Sequence, residues 1–134
     1  SEHVIAIYTR KILKGVEYLH ANNVIHRDIK GANILIKEDG SASLLTLVAL
    51  NSNLTGRAGL FGLAVRMAPE VVKQTGHSRF ADIWSLGCTV FEMLAGCPPW
   101  SDKKQMQVLL TIASTRAPPA YPKHTSEELK DFLN

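Results

Sequence analysis

Residues 26–33 read His-Arg-Asp-Ile-Lys-Gly-Ala-Asn and place a carboxylate (Asp28), an ammonium (Lys30) and a carboxamide (Asn33) in one short stretch. Moving a phosphoryl group from a nucleotide to a hydroxyl needs those three chemistries side by side. The carboxylate orients the hydroxyl and takes its proton. The ammonium offsets charge on the group in transit, and the amide oxygen helps hold a metal ion on the phosphates. His-Arg-Asp alone suits a polar surface loop after a helix equally well, so the weight falls on the whole octapeptide and its setting.

That setting is a helix before and an apolar run after. Ile5, Tyr8, Ile12, Val16 and Leu19 recur at spacings of three and four, which predicts a helix over 1–21. Asn22 and Asn23 can end it, because asparagine tolerates the left-handed conformation. Ile34-Leu35-Ile36 is a candidate strand. Residues 81–95 are apolar nearly all round, so that helix belongs in the middle of a domain. Asp82 near its start is the notable exception, and on its position alone it is a carboxylate for free helical N–H groups and the dipole. Gly96 and Pro98-Pro99 stop the helix. Ser101 is expected to cap a further helix running to about Ala113. Thr125 with Glu128 is expected to form a capping box ahead of Leu129, Phe132 and Leu133.

At 134 residues the chain is one domain or a piece of one, and 46% hydrophobic residues suffice to bury a core. The formal charge of +3 is mild and the cations are scattered, which speaks against a nucleic-acid partner. Cys88 and Cys97 form no CxxC pair, so neither a metal site nor a disulfide framework is expected; a reduced cytosolic or nuclear setting fits, and a cytoplasmic location is expected. There is no leading secretory segment, and the stretch Ala42 to Leu50 is too short to span a bilayer, so no membrane role is expected.

The octapeptide is followed by Met67-Ala68-Pro69-Glu70, then Ala81-Asp82-Ile83-Trp84-Ser85-Leu86-Gly87-Cys88, then Cys97-Pro98-Pro99-Trp100. In this order and spacing the blocks resemble the C-terminal lobe of a eukaryotic serine/threonine protein kinase. They are most similar to the mitogen-activated protein kinase kinase kinases of the MEKK/STE-eleven group. The resemblance implies an α+β fold: a mainly helical C-terminal lobe spanning 1–134, cut at both ends, with residues 41–66 divergent. It implies ATP and Mg²⁺ as cofactors and a protein substrate, a MAP kinase kinase. Carried over residue by residue, Asp28 is the proton acceptor, Lys30 contacts the γ-phosphate and Asn33 is a magnesium ligand. Lys30 two places after Asp28 fits serine/threonine kinases better than tyrosine kinases. His26 is a structural support. Arg27 pairs with a phosphorylated residue, for which Ser52 and Thr55 lie in the right stretch, or else is a surface cation. Asp82 accepts hydrogen bonds from backbone amides of the loop. Glu70 pairs with a downstream arginine that these residues do not include, which leaves it solvated or as a costly buried charge.

Three departures stand against this resemblance. The Gly-rich phosphate loop, the strand lysine and its glutamate are absent, and Gly56–Gly62 has the wrong spacing and context to replace them. The metal-binding Asp-Phe-Gly falls at Thr46-Leu47-Val48, and a threonine hydroxyl is a poor magnesium ligand. The family's Gly-Thr-Pro-Tyr/Phe-Trp reads Gly62-Leu63-Ala64-Val65-Arg66, and Leu63 cannot bond the catalytic groups as threonine does. The family's Lys-Leu-Ala-Asp-Phe-Gly, written as codons and read one base late, can encode Ser-Leu-Leu-Thr-Leu and a valine-compatible GT, which matches Ser43 to Val48. A frameshift or mis-spliced junction from about residue 42 to about 66 is therefore one reading, and a diverged pseudokinase is the other. The 134 residues alone are expected to be inactive, and a non-catalytic binding module or truncated gene product is the alternative function.

Overall fold

The computed structural model describes residues 1–40, 42–44, 64–114 and 117–134. Helix α1 (Glu2–Ala21) buries Ile5, Thr9, Ile12 and Val16, so the buried stripe follows the predicted period but takes Thr9 where Tyr8 was expected. Tyr8 and Leu19 lie at the stripe's edge, half-buried. The helix ends at Asn22, and Asn23 adopts φ 59°, the left-handed turn expected of this pair.

A loop leads through one 3₁₀ turn (Gly31–Asn33) into strand β1 (Ile34–Ile36). Strand β2 (Ala42–Leu44) pairs antiparallel to it, with Ile34 opposite Leu44 and Ile36 opposite Ala42. Gly40 turns the hairpin at φ 74°, and the Lys11 ammonium on α1 donates to its carbonyl. Four more helices follow among the described residues: α2 (Pro69–Val72), α3 (Arg79–Ala95), α4 (Gln105–Ser114) and α5 (Glu127–Leu133). The architecture is thus mostly helical with one small two-stranded sheet.

Helix α3 is central, as its all-round apolar sequence demands. Leu86 and Val90 join Ile5, Ile12 and Val16 of α1 and Ile29 of the loop in the main core. Trp84, on another face, packs with Val65, Val108 and Ile112 in a second cluster. Two apolar residues of the first turns do not share this burial: Phe80 is 71% and Ile83 45% exposed. Ser78 caps α3 by accepting from Phe80 N, and Gly96 ends it at φ 73°. Both caps satisfy backbone groups that a helix terminus leaves without partners.

Two expected helix starts are corrected. The fourth helix begins at Gln105, not Ser101. Trp100 takes φ 54°, Lys103 N donates to Trp100 O in a turn, and the Gln107 side chain accepts from Lys104 N. The cap of α5 is Ser126, whose Oγ accepts from Leu129 N, while the Thr125 hydroxyl turns back to donate to Pro122 O at 2.7 Å. No helix among the described residues is long and apolar enough to cross a membrane.

Candidate active site

The loop between α1 and β1 is pinned to the core by three of its residues. His26, Ile29 and Asn33 are 4%, 1% and 5% exposed, while Arg27 faces solvent. Arg27 adopts φ 69°. A non-glycine residue pays about 1–2 kcal/mol for that conformation, so something must hold it there. The holder is Asp82 on α3, which is 1% exposed. Its Oδ1 accepts from Arg27 N at 2.8 Å and its Oδ2 from His26 N at 2.9 Å. A buried carboxylate needs such donors, and charge-assisted bonds to backbone amides are among the stronger hydrogen bonds in proteins. A third donor is His20, whose Nε2 lies 2.7 Å from Asp82 Oδ2. Facing a carboxylate, that nitrogen must carry the proton.

Above this support the three chemistry-bearing side chains meet. Lys30 Nζ lies 2.9 Å from Asp28 Oδ2. Asn33 Nδ2 donates to the same oxygen at 2.9 Å and to the Asp28 carbonyl at 2.7 Å. Asp28 N in turn donates to His26 Nδ1 at 3.2 Å, which fixes that ring nitrogen as an acceptor. Asp28 Oδ2 thus carries an ammonium and an amide, and no described residue donates to Oδ1. That oxygen is the one left for an acceptor hydroxyl. Because the Asn33 amide protons are spent on Asp28, its carbonyl oxygen is the atom it can offer a cation.

Asp28 opens on a cavity of about 200 Å³ walled also by Arg27, Arg66, Met67, His77 and Ser85. Arg66 pairs with Glu92 of α3 at 2.5 Å, and Ser85 Oγ donates to the Arg66 carbonyl at 2.9 Å. The residue that ends the sequence departure is thereby tied to the central helix. A larger cavity of about 850 Å³, lined by Glu70, Lys73, Trp84, Phe91, Ile112 and Leu133, lies away from Asp28. Glu70 sits in the first turn of α2, half-buried, and its carboxylate has no ion-pair partner among the described residues. Thr46-Leu47-Val48, Ser52, Thr55, Gly56–Gly62 and Leu63 lie outside the described residues.

The whole chain, residues 1–134, matches the protein kinase domain family. The chain belongs to the protein kinase family. It is 48% identical over 139 residues to mitogen-activated protein kinase kinase kinase A of Dictyostelium discoideum, covering 100% of this chain and 15% of that protein. It is 48% identical over 138 residues to mitogen-activated protein kinase kinase kinase 3 of Arabidopsis thaliana, covering 98% of this chain and 21% of the relative. Human mitogen-activated protein kinase kinase kinase 3 is 43% identical over 139 residues, covering 99% and 22%. The chain therefore spans between 15% and 22% of the length of these relatives.

Kinases of this family generally use ATP and Mg²⁺. Among the described residues no cluster of three or more acidic, histidine or cysteine side chains could hold a metal ion. Magnesium favours octahedral oxygen coordination, commonly one or two carboxylates plus substrate phosphates. Asn33 supplies one neutral oxygen, and Asp28 Oδ2 is already engaged. The described residues therefore do not form a magnesium cage by themselves, and the amide oxygen of Asn33 would supply at most one contact to an ion carried on nucleotide phosphates.

Sequence reasoning did not single out His20, Ile29 or Arg66. His20 acts across 62 residues of sequence, a separation that no local motif encodes.

Proposed function

We propose that this chain is the C-terminal lobe of a serine/threonine protein kinase catalytic domain, cytoplasmic, in a MAP kinase cascade. The reading is supported above all by the convergence of Lys30 and Asn33 on one carboxylate oxygen of Asp28. In this reading the acceptor hydroxyl approaches Oδ1 of Asp28, which orients it and takes its proton. Lys30 is half-exposed beside it and offsets negative charge on the transferring phosphoryl group. Asn33 meets the magnesium of ATP through its amide oxygen. His26 and Asp82 hold the loop, Glu70 pairs with an arginine downstream of these residues, and Arg27, exposed beside the cavity, receives a phosphorylated residue. The names of the relatives point to a MAP kinase kinase as the protein substrate.

The test is phosphotransfer by the full-length protein to serine or threonine of a protein substrate. Asp28→Asn is expected to lower the rate by roughly 10³-fold. A variant that keeps more than about a tenth of the activity would remove Asp28 from the role. The 134 residues alone are expected to transfer no phosphate, because catalysis here is positioning and charge stabilisation, and most nucleotide-positioning groups are not among them.

One observation favours a second reading, a non-catalytic binding module: position 46 carries threonine where the metal-binding carboxylate belongs. The two readings part on nucleotide dependence. A marked rise in melting temperature with Mg²⁺ and ATP speaks against the binding module. Sequencing the transcript across residues 42–66 separates true divergence from a shifted frame, since an uninterrupted frame encoding these residues removes the frameshift.

A further inference from the structure

We propose that the outer face of α4 is a docking surface for the folded protein substrate, which meets it with an apolar segment flanked by acidic residues. The proposal rests on reading Asp28 as the proton acceptor for a protein hydroxyl. Helix α4 is apolar on two opposite faces. Val108 and Ile112 are buried in a cluster with Val65, and Val72 packs against them. Met106 and Leu110, on the other face, are 67% and 62% exposed. A single exposed leucine needs no explanation. Two large apolar side chains at i and i+4 form one stripe, at the spacing by which a helix anchors to a partner. The methionine makes that stripe adaptable in shape.

Position and charge identify the occupant. Helix α2 joins the stripe's helix to the acceptor site: Val71 walls the cavity onto which Asp28 opens, and Val72 packs on the buried face of α4. Two packed helices are about 20 Å across and a small folded domain about 30 Å, so a folded substrate with its hydroxyl at Asp28 reaches α4. Three residues on either side of the hydroxyl reach only about 10 Å, so a short peptide does not. Lys103 and Lys104 precede α4, which carries no charged residue of its own. Asp102 lies 3.7 Å from Lys103, an exposed and screened pair, whereas Lys104 is exposed with no ion-pair partner among the described residues. The positive end of the helix dipole lies at the same end. Cations there are unfavourable for the helix alone, and an acidic partner residue offsets both charges. A second copy has no acidic side chain on its α4 to offer them, so the complement is a different protein that carries one.

The experiment uses the full-length protein and two substrates: a folded MAP kinase kinase, and a peptide of about seven residues copied from its phosphorylated segment. Met106→Ala with Leu110→Ala is expected to raise KM for the folded substrate by roughly tenfold, with kcat and KM for ATP within about twofold. For the peptide, kcat/KM should stay within about twofold, a split that general damage to the domain would not give. Lys103→Glu with Lys104→Glu should raise the same KM and remove most of its rise with salt. All four are surface changes, so the melting temperature should stay within about 2 °C. Calorimetric titration with the folded substrate, without nucleotide, reads docking alone, and the alanine pair should raise Kd roughly tenfold. The proposal is overturned if KM and Kd for the folded substrate are unchanged, or if the peptide suffers equally. It is also overturned if the alanine pair lowers the melting temperature by more than about 5 °C, which would put the protein's own chain on this face, or abolishes self-association, which would put a second copy there. If the unaltered protein phosphorylates neither substrate, the reading of Asp28 falls. The titration then decides docking by itself, and no binding overturns it.

Discussion

Ile29 sits between two residues assigned to chemistry, yet it is 1% exposed and packs with Val16, Leu86 and Val90. Shortening it tests whether the loop is built into the core or merely laid on it. Ile29→Ala removes three buried carbons, about 2.4 kcal/mol at roughly 0.8 kcal/mol each, and the residual cavity raises the cost to about 3–4 kcal/mol. Ile29→Val removes one carbon and should cost about 1 kcal/mol. At roughly 3–5 °C per kcal/mol for a domain of this size, the alanine variant should melt about 10–15 °C lower and the valine variant about 4 °C lower. Calorimetry of the intact protein, following the transition that contains this domain, reads both. Activity should fall with stability, since the same atoms that fill the core hold Asp28 and Lys30 on either side. A loss below about 1 kcal/mol for Ile29→Ala would refute the reasoning, because a side chain truly enclosed by α1 and α3 cannot be shortened so cheaply.

The remaining predictions concern charge. Lys30 and Asp28 are 37% and 36% exposed, so their ion pair is screened; Lys30→Met should change stability by less than about 1 kcal/mol while lowering phosphotransfer by roughly 10²-fold, and a large melting shift without a rate effect would contradict the assignment. Burial pushes the Cys88 thiol up to about 12, with the Arg66 guanidinium pulling weakly the other way. Cys88 should therefore resist alkylation in the native state at pH 8 while the exposed Cys97 reacts, so mass spectrometry should find one label until denaturant is added. Because the folded value lies above the ordinary 9.0, the contribution of the neutral thiol is full below about pH 9 and is lost as pH rises toward about 12.

Much of the fold was legible because period and composition act locally. Helices α1 and α3, their glycine and asparagine ends, and the hairpin strand β1 all follow from patterns within a few residues. The two displaced helix starts show where such reasoning loses its grip. Ser101 and Thr125 carry the right hydroxyls, but that of Thr125 turns back to Pro122 O, away from the helix, and Ser101 follows a left-handed Trp100 that begins a turn. Local signals of equal strength stand side by side there, and the backbone group that each hydroxyl can reach decides between them.

Asp28, Lys30 and Asn33 were legible as a group for a related reason: they lie within six residues, so one turn of chain suffices to bring their polar atoms together. The supports beneath them were harder to see because their partners lie 55 to 62 residues away in sequence. Even so, a signal for His20 existed. The buried stripe of α1 runs Ile5, Thr9, Ile12, Val16, and the next position on that face, four residues on, is His20. A polar ring continuing an apolar stripe must find a partner inside. Asp82, a carboxylate in the middle of the domain, must find donors there. Two loop amides leave such a carboxylate with acceptor capacity to spare. Matching an unexplained donor on one helix to an under-supplied acceptor on another is an inference that sequence permits once the two helices are known to pack, and that packing is what the main core of Ile12, Val16, Leu86 and Val90 supplies.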